Sequence, residues 1–249
     1  MLTIRKKFLV FTVSEHWYEC RYKWYELLGM TAYLHVKNNV PKPPLTVSKP
    51  NYTIENNLEL TGEQIFEAFT KQYRNQIRQA EKDGVECYFH RDIKGFVPFF
   101  NDFARSKGIH QTSERRLEEM GEELLLSYAS INGKVVAAHS YHYDRESKVV
   151  RTFQSASVRL DEESGLDKNL VGKANKLLHY KDMLHFKNMG VTTYDFGGYA
   201  PPEDKRDLKG VNDFKLNFGG EIVTCRNYYT IPYYVCRVLA EKFGLLGQG

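Results

Sequence analysis

The sequence predicts an α/β fold with a mixed sheet, and three observations lead to this prediction. From about residue 57, short runs rich in β-branched and aromatic residues alternate with amphipathic helical patterns. Near the middle, Asn132-Gly133 marks a two-residue hairpin turn between apolar runs. A long helical pattern at 170–189 then precedes another strand, and a helix that crosses between strands makes them parallel. We therefore expect a mixed, partly parallel sheet.

The N-terminal residues give weaker patterns. Residues 2–13 are predicted as one strand and residues 33–36 as another. A helix is predicted at 16–29, because aromatic and leucine side chains recur at helical spacing and Gly29 would end it. Four prolines between residues 38 and 50 predict a connector.

This connector sets the expected domain division. Residues 1–52 are too few to enclose a large core, so we expect a small N-terminal α/β subdomain that packs on the main domain at 53–230. A C-terminal helix at 231–249 is expected to return to it. We interpret the N-terminal unit as a truncated second copy of the main domain, with an unrelated addition as the alternative.

The main domain begins with clear helix signals. Thr61 starts T-G-E-Q, the pattern of a capping box, and the helix should run to residue 83 with a bend near Thr70. The other elements follow from periodicity and from Gly or Pro at their ends. Further strands are predicted at 57–60, 85–89, 123–131, 134–143, 148–158, 191–196 and 221–229, helices at 93–107, 114–120 and 231–243, and an acidic loop at 160–165.

Composition excludes several classes of protein. The apolar content of 42%, without a run of about 20 apolar residues, argues against a membrane helix, and we expect a cytoplasmic protein. Four well-separated cysteines make a zinc site or a disulfide framework improbable, and no metal is expected. A net charge of +4 is too small for a DNA-binding protein but suits an anionic nucleotide or coenzyme. The 17 Tyr and 15 Phe also suit a cleft that stacks on sugars or bases.

The stretch at 191–221 is the best candidate site. The glycine pairs Gly197-Gly198 and Gly219-Gly220 frame a polar loop and a short helix that carries Lys215. Glycines at the ends of elements let a ligand approach the backbone closely. The alternative is that both pairs only end their elements.

Four strings in this order resemble a known family. They are R-N-Q-I-R-Q-A-E-K-D-G-V at 74–85, G-K-A-N-K-L-L-H-Y at 172–180, Y-D-F-G-G at 194–198 and F-K-x-x-F-G-G-E at 214–221. The chain resembles the GNAT superfamily of N-acyltransferases, and within it the single-copy FemAB-like branch found among surface-polysaccharide genes. The resemblance implies a GNAT fold with splayed fourth and fifth strands, an activated acyl donor and an amine acceptor.

The resemblance also implies a donor site. GNAT enzymes hold the pyrophosphate of coenzyme A on a Q/R-x-x-G-x-G/A loop at a helix N-terminus, where the helix dipole favours anions. N-L-V-G-K-A at 169–174 stands in that place, with Asn first, and favours acyl-CoA over the aminoacyl-tRNA that Fem enzymes use. Gly172 and Ala174 could instead only permit close helix packing. The implied donor-site residues are Phe153, Gln154, Ser155, Ala156, Ser157, Asn169, Val171, Gly172, Lys173 and Ala174.

Candidates for proton transfer are fewer. Asp195, at the end of the fifth strand, is the first candidate for the base that deprotonates the amine, with a structural role for loop amides as an equal alternative. Tyr199 could protonate the leaving group. His139 and His142 lie on one strand and face opposite sides, so at most one reaches the cleft; His142 is retained as a candidate. A lone strand histidine more often fills the core.

Binding of the acceptor is assigned to basic and glycine residues. Lys215 resembles a Fem-family lysine that contacts acceptor phosphates, and Arg74 and Arg78 form a basic helix face that could instead be solvated. Gly197 and Gly198 complete this set.

The resemblance thus implies transfer of an acyl group from acyl-CoA to the amine of a nucleotide-linked amino sugar in O-antigen or capsule biosynthesis, and the amino sugar rests on the resemblance alone. One alternative is a Fem-type aminoacyltransferase that uses charged tRNA on a peptidoglycan precursor. The other is a GNAT-fold nucleotide-binding protein without catalysis. Acyl chain, sugar and oligomeric state, monomer or dimer, stay open.

Overall fold

The computed structural model describes residues 2–158, 165, 167–201 and 208–243. Within them one ten-stranded sheet runs in the order β1-β2-β3-β10-β4-β9-β8-β7-β6-β5. The strands are β1 (Leu2–Phe8), β2 (Phe11–Trp17), β3 (Thr31–Lys37), β4 (Thr46–Asn57), β5 (Glu86–Phe89), β6 (Leu124–Ile131), β7 (Lys134–Asp144), β8 (Val149–Ser157), β9 (Thr193–Gly198) and β10 (Glu221–Thr230). The helices are α1 (Gly62–Ala68), α2 (Lys71–Lys82), α3 (Ile93–Lys107), α4 (Glu114–Glu118), α5 (Lys168–Asn188), α6 (Lys209–Leu216) and α7 (Ile231–Lys242).

The sheet is mixed, as predicted. β2 pairs with β3, and β8 with β9, in parallel, while the other neighbours are antiparallel. The second parallel pair exists because α5 carries the chain from the end of β8 back to the start of β9. The predicted acidic loop that precedes α5 lies, apart from Gly165, outside the described residues.

β8 and β9 separate part-way along their length. They pair only from Val149 opposite Thr193 to Arg151 opposite Asp195, although β8 continues to Ser157. On its other side β8 has a bulge against β7, which leaves Phe153 as the extra residue. The expected splay of these two strands is therefore confirmed, and it opens one edge of β8.

Helices cover both faces of this half of the sheet. Side chains alternate along β6, so Leu126 and Tyr128 belong to the cluster beneath α3, whereas Leu125 and Ala129 belong to the cluster beneath α5. The larger cluster also holds the buried faces of α1 and α2. The site is thus carried by strands fixed on both faces.

Local signals at helix and hairpin ends are confirmed. Thr61 accepts a hydrogen bond from the Gln64 backbone, and the Gln64 side chain accepts one from the Thr61 backbone. The helix breaks as predicted, because Phe69 and Thr70 are extended between α1 and α2. Asn132 and Gly133 take the positive φ values that a tight hairpin needs, 50° and 75°.

Two N-terminal predictions are wrong. Residues 2–13 form the β1–β2 hairpin instead of one strand. Residues 16–29 are not an α-helix, because β2 continues to Trp17 and pairs on both edges, and only a short 3₁₀ helix follows at Trp24–Leu28. Trp24 is 72% exposed, so the helical pattern has no surface to pack against.

The predicted connector and the strand at 57–60 also need correction, because β4 already runs from Thr46 to Asn57. β9 pairs with β4 only from Thr53 onward, so the β9 side of β4 is unpaired at Pro50. Proline has no backbone N–H to donate and is therefore tolerated there. β4 therefore passes without a break through residue 52, the expected limit of the N-terminal unit.

The two halves of the sheet repeat one arrangement around the central β4–β10 pair. β1-β2-β3-β10 has the same pairing directions as β7-β8-β9-β4. Each half also has one residue with positive φ at a shift in strand register. This residue is His35 (φ 54°) where β3 pairs with β10, and Gly197 (φ 80°) where β9 pairs with β4. Tyr233 of α7 packs in the N-terminal cluster with Val13 and Leu34. We infer that the N-terminal unit is a truncated repeat of the main domain, without the equivalent of α5.

No helix among the described residues is long and apolar enough to cross a membrane.

Candidate active site

A cavity of about 710 Å³ lies where β8 and β9 separate. One wall is β8, at Thr152, Phe153 and 155–157, and the opposite wall is Phe196 to Gly198 on β9. Helix α5 contributes Asn175, Lys176 and His179, and α6 contributes Phe214 and Lys215. Trp17, Phe103 and Lys107 complete the rim.

The charged side chains that line the cavity are positive. Lys107, Arg151, Lys176 and Lys215 line it, and no carboxylate does so among the described residues. A concave site lined by cations concentrates anions, so the cavity fits a ligand that carries phosphate or carboxylate groups.

Asp195 has a structural partner. Its carboxylate is fully buried and forms an ion pair with Arg151 at 2.5 Å. It also accepts hydrogen bonds from Thr53 Oγ1 and from the backbone N–H of Gly197. Burial alone would raise the pKa of Asp195, but Arg151 and these bonds outweigh it and lower the pKa below its ordinary value. Because a buried carboxylate held by Arg151 is a poor proton acceptor, this geometry favours the structural alternative over the predicted base.

Lys215 does reach the cavity. Its Nζ donates hydrogen bonds to the backbone oxygens of Gly197 (3.2 Å) and Gly198 (2.6 Å). Burial, followed by the charge of Arg151, lowers the pKa of Lys215 to about 8. The ammonium is thus anchored at the mouth of the split and exchanges its proton near neutral pH.

Gly197 is needed at the split itself. It has φ 80°, and a Cβ there would lie 3.3 Å from Thr152 O and 3.5 Å from Arg151 Nη2. Gly198 is exposed and a Cβ on it would meet no atom within 4 Å. Of the two glycines, only Gly197 is required by close approach.

Half of the expected donor-site residues line the cavity: Phe153, Ser155, Ala156, Ser157 and Gly172. The others do not. Gln154 accepts a hydrogen bond from Ser140, Lys173 lies 3.8 Å from Asp83, and Val171 and Ala174 are buried in the core.

The string at 169–174 is helical rather than a loop, because α5 already begins at Lys168. Asp167 is the N-cap, and its side chain accepts the backbone N–H of Asn169. A carboxylate at this helix end takes up the N–H and the positive potential that a pyrophosphate would use. The expected phosphate-binding loop is therefore not formed by residues 169–174, because they are helical and the Asp167 carboxylate already occupies this end of α5.

Two other catalytic candidates stand outside the cavity lining. His142 is buried and stacks on Phe153 at 4.3 Å, and neither ring nitrogen has a hydrogen-bond partner in the described part of the chain. Burial lowers the pKa of His142 to about 3. Tyr199 is half-buried against the main core, and its backbone N–H donates to Tyr52 O.

The two arginines of α2 have local roles. Arg74 donates to the backbone oxygens of Glu67 and Phe69 and so closes the end of α1. Arg78 is exposed and lies over the Phe66 ring at 5.1 Å. Neither lines the cavity, so the solvated alternative fits Arg78 and a capping role fits Arg74.

Sequence reasoning missed a polar network behind the cavity. Asn175, His179 and Asp182 lie on the buried face of α5 and meet side chains from β7 and β9. Their spacing of four and then three residues was the available signal, because it places polar groups on the stripe that the core otherwise fills with Leu and Phe. Among the described residues no group of three or more acidic, His or Cys side chains could hold a metal.

Comparison with known proteins tests the fold. No protein-family model matches the sequence, and a search of the curated proteins found no match. Among solved structures, the crystal structure of FemX superposes with a TM-score of 0.70 at 10% identity, covering 95% of this chain and 86% of FemX. The chain therefore shares the fold of FemX.

Other solved structures share this fold. L-PGS from Bacillus licheniformis gives a TM-score of 0.60 at 10% identity, with 96% of this chain and 84% of that chain covered. The C-terminal domain of a putative lysylphosphatidylglycerol synthetase from Agrobacterium fabrum gives 0.60 at 11% identity, with 87% and 72% covered. At these identities the likeness establishes the fold alone.

Proposed function

We propose that the protein is an N-acyltransferase that moves an acyl group from an activated donor to a primary amine. The cavity at the split between β8 and β9 carries this proposal. Beyond Arg151 no described strand pairs with the β9 side of β8, so backbone N–H and C=O groups there are open to a ligand. An extended ligand with amide groups can add to such an edge as a further strand.

The donor that fits this edge best is acyl-CoA. Its pantetheine arm is extended and carries amides that can pair with residues 152–157, and its phosphates suit Lys107 and Lys176 at the cavity wall. The narrow split would then place the thioester close to Lys215.

The acceptor we propose is a nucleotide-linked amino sugar of O-antigen or capsule biosynthesis. The aromatic residues Trp17, Phe103 and Phe214 offer flat faces for a base or sugar, and the lysines suit a diphosphate. The same cationic, partly buried setting that lowers the pKa of Lys215 would lower that of a bound amine. The amine would then arrive neutral and nucleophilic.

A second candidate donor is aminoacyl-tRNA, and one observation favours it. Asp167 caps α5, so the phosphate loop that the resemblance implied for coenzyme A is not formed at this helix end. In that case Lys107, Lys176 and Lys215 would contact the tRNA 3′ end, and the acyl group would leave a ribose oxygen instead of a thiol.

Thermal denaturation tests the donor. A ligand at about 100 times its Kd stabilises the native state by about 2.7 kcal/mol, which raises the Tm of a chain of this size by about 5–10 °C. We expect such a rise with CoA thioesters, a smaller one in Lys215→Gln, and an unchanged one in Lys181→Gln, whose ion pair with Glu81 lies outside the cavity.

No rise with any CoA derivative would contradict the acyl-CoA donor. Loss of amino acid from a mixed pool of charged tRNA would then support the second candidate. Release of free thiol from a CoA thioester, with an amino sugar nucleotide present, separates an enzyme from a protein that only binds. Binding of both ligands without thiol release would favour the binding protein.

A further inference from the structure

A chain of buried hydrogen bonds leads from Asp182 to the wall of the cavity. The Tyr141 hydroxyl donates to Asp182 Oδ2 at 2.5 Å, and Ser127 Oγ donates to the same oxygen at 2.9 Å. The hydroxyls of Tyr141 and Tyr194 lie 2.9 Å apart, and the Tyr194 hydroxyl lies 2.8 Å from His179 Nδ1. All of these side chains are 0–1% exposed, and among them His179 lines the cavity.

The direction of each hydrogen bond follows from the Asp182 carboxylate at the buried end of the chain. The Tyr141 hydroxyl lies 2.5 Å from Asp182 Oδ2 and 2.9 Å from His139 Nδ1, which is also 2.9 Å from that carboxylate oxygen. The carboxylate has no hydrogen to donate and is the closer partner, so Tyr141 gives its single hydrogen to Asp182. Tyr194 must then donate to Tyr141, and its oxygen can only accept from His179. Nδ1 of His179 therefore carries the ring hydrogen, and Nε2 carries a free lone pair.

Nε2 is the nitrogen left for a ligand. His179 lines the cavity, and among the described residues its side chain has a hydrogen bond only through Nδ1, to Tyr194. His139 of β7 stacks on its ring at 4.0 Å, and Lys176 and Lys215 are the cations that face it. Burial, followed by these three groups, lowers the pKa of His179 well below its ordinary value. The imidazole is therefore neutral at physiological pH.

We propose that His179 Nε2 accepts the proton of the attacking amine, and that Tyr194, Tyr141 and Asp182 hold the ring in the tautomer this requires. The role rests on the proposed acyl transfer. His179 would be a catalytic residue, because it lines the cavity where the amine binds. The two tyrosines and Asp182 do not touch the amine; they are positioning residues that orient the ring and take up its Nδ1 hydrogen.

The step balances without a net charge on the imidazole. The amine nitrogen bonds to the acyl carbon, and the bond from that carbon to sulfur, or to ribose oxygen, breaks. The amine hydrogen moves to Nε2 while the Nδ1 hydrogen moves to Tyr194, that of Tyr194 to Tyr141, and that of Tyr141 to Asp182. The leaving thiolate or alkoxide takes a hydrogen from the Lys215 ammonium. After product release the chain reverses, and water in the cavity accepts the proton from Nε2 and returns one to Lys215.

Nitrogen NMR of histidine-labelled protein tests the tautomer without any substrate. The His179 signal is assigned by its loss in His179→Gln. We expect a neutral ring with hydrogen on Nδ1 from about pH 5.5 to 8. We expect Tyr194→Phe, which removes the acceptor, to convert it to a mixture of tautomers.

Tyr141→Phe serves as a second variant should Tyr194→Phe not fold. Tyr128→Phe is the matched control, because Tyr128 is also buried and donates to a backbone oxygen, at 2.9 Å, but belongs to the core beneath α3. Hydrogen on Nε2 of the wild-type ring, or titration of His179 within that pH range, would overturn the proposal.

Kinetics then separate this role from the donor assignment. Thiol release from acetyl-CoA is measured in a single turnover with hydroxylamine as the amine. We expect His179→Gln to slow it by about 10²-fold or more, and Tyr194→Phe by about tenfold, with the donor KM unchanged. Transfer at the wild-type rate in His179→Gln overturns the proposal. A wild-type protein that shows the expected tautomer but transfers from neither acetyl-CoA nor charged tRNA contradicts the proposed function, while the tautomer result still supports the hydrogen-bond chain.

Discussion

Replacement of Asp195 by Asn should reveal whether this carboxylate serves the fold or the chemistry. Asp195 is 0% exposed, and the Arg151 side chain that faces it is 12% exposed. Asn can still accept from Gly197, but its neutral amide leaves the Arg151 guanidinium without a counter-ion. Removal of one member of a buried ion pair typically costs about 3–5 kcal/mol. For a chain of this length that corresponds to a fall in Tm of about 6–20 °C.

The matched control is Asp102→Asn. Asp102 pairs with Arg105 on the surface of α3, where the two side chains are 70% and 58% exposed. Exposed pairs contribute about 0–1 kcal/mol, so this variant should stay close to the wild type. Urea denaturation of both variants gives the two free energies of unfolding.

The pH dependence has a definite sign. Arg151 holds the pKa of Asp195 below the ordinary value of 3.8, so the folded state favours the charged form. The stability that this carboxylate contributes is then fully present above pH 4 and is lost as the pH falls through its lowered pKa. The difference in free energy of unfolding between the wild type and Asp195→Asn should be constant from pH 5 to 8. A variant within about 1 kcal/mol of the wild type that nevertheless loses all transfer would refute this reasoning and restore Asp195 as the base.

Three further outcomes are expected. Gly197→Ala should lower the free energy of unfolding by about 2 kcal/mol or more, because its φ is 80° and the new Cβ would lie 3.3 Å from Thr152 O. Gly133→Ala, at φ 75° but in open space, should lower it by about 1 kcal/mol. Equal losses in urea denaturation would show that the contact with Thr152 adds nothing. Affinity for CoA in calorimetry should fall as the pH rises through the Lys215 pKa of about 8, and Lys215→Arg should remove that fall; a flat wild-type profile would contradict a charged contact. Thr61→Ala should cost about 1 kcal/mol of unfolding free energy through loss of the helix cap, and a loss near zero would argue against the cap.

Local signals predicted much of the main domain. The capping box at Thr61 and the positive φ values at Asn132-Gly133 depend on neighbouring residues only, so the sequence is sufficient to find them. Trp17 and Trp24 show the limit. Their helical spacing is real, but β2 finds two strand partners, and pairing with distant residues outweighs a local pattern.

The site was predicted in part for the same reason. Glycine pairs and a lysine in a motif are local features, and Gly197, Gly198 and Lys215 do meet at the cavity. The partner of Asp195 could not be inferred, because Arg151 comes from a strand 44 residues earlier and only the register of β8 with β9 brings the two together.

The position of β10 in the sheet has a consequence for how the chain can assemble. This last strand separates β3 from β4, and Thr230 binds Thr31 across 199 residues of sequence. On a ribosome, β1 to β3 therefore emerge long before the only described strand that joins them to the rest of the sheet. Contacts of such separation make folding slow, and the waiting strands expose hydrogen-bonding edges meanwhile. A nascent chain stopped before residue 221 should thus leave β1 to β3 undocked from the rest of the sheet, and protease cleavage in the 38–45 segment would report it.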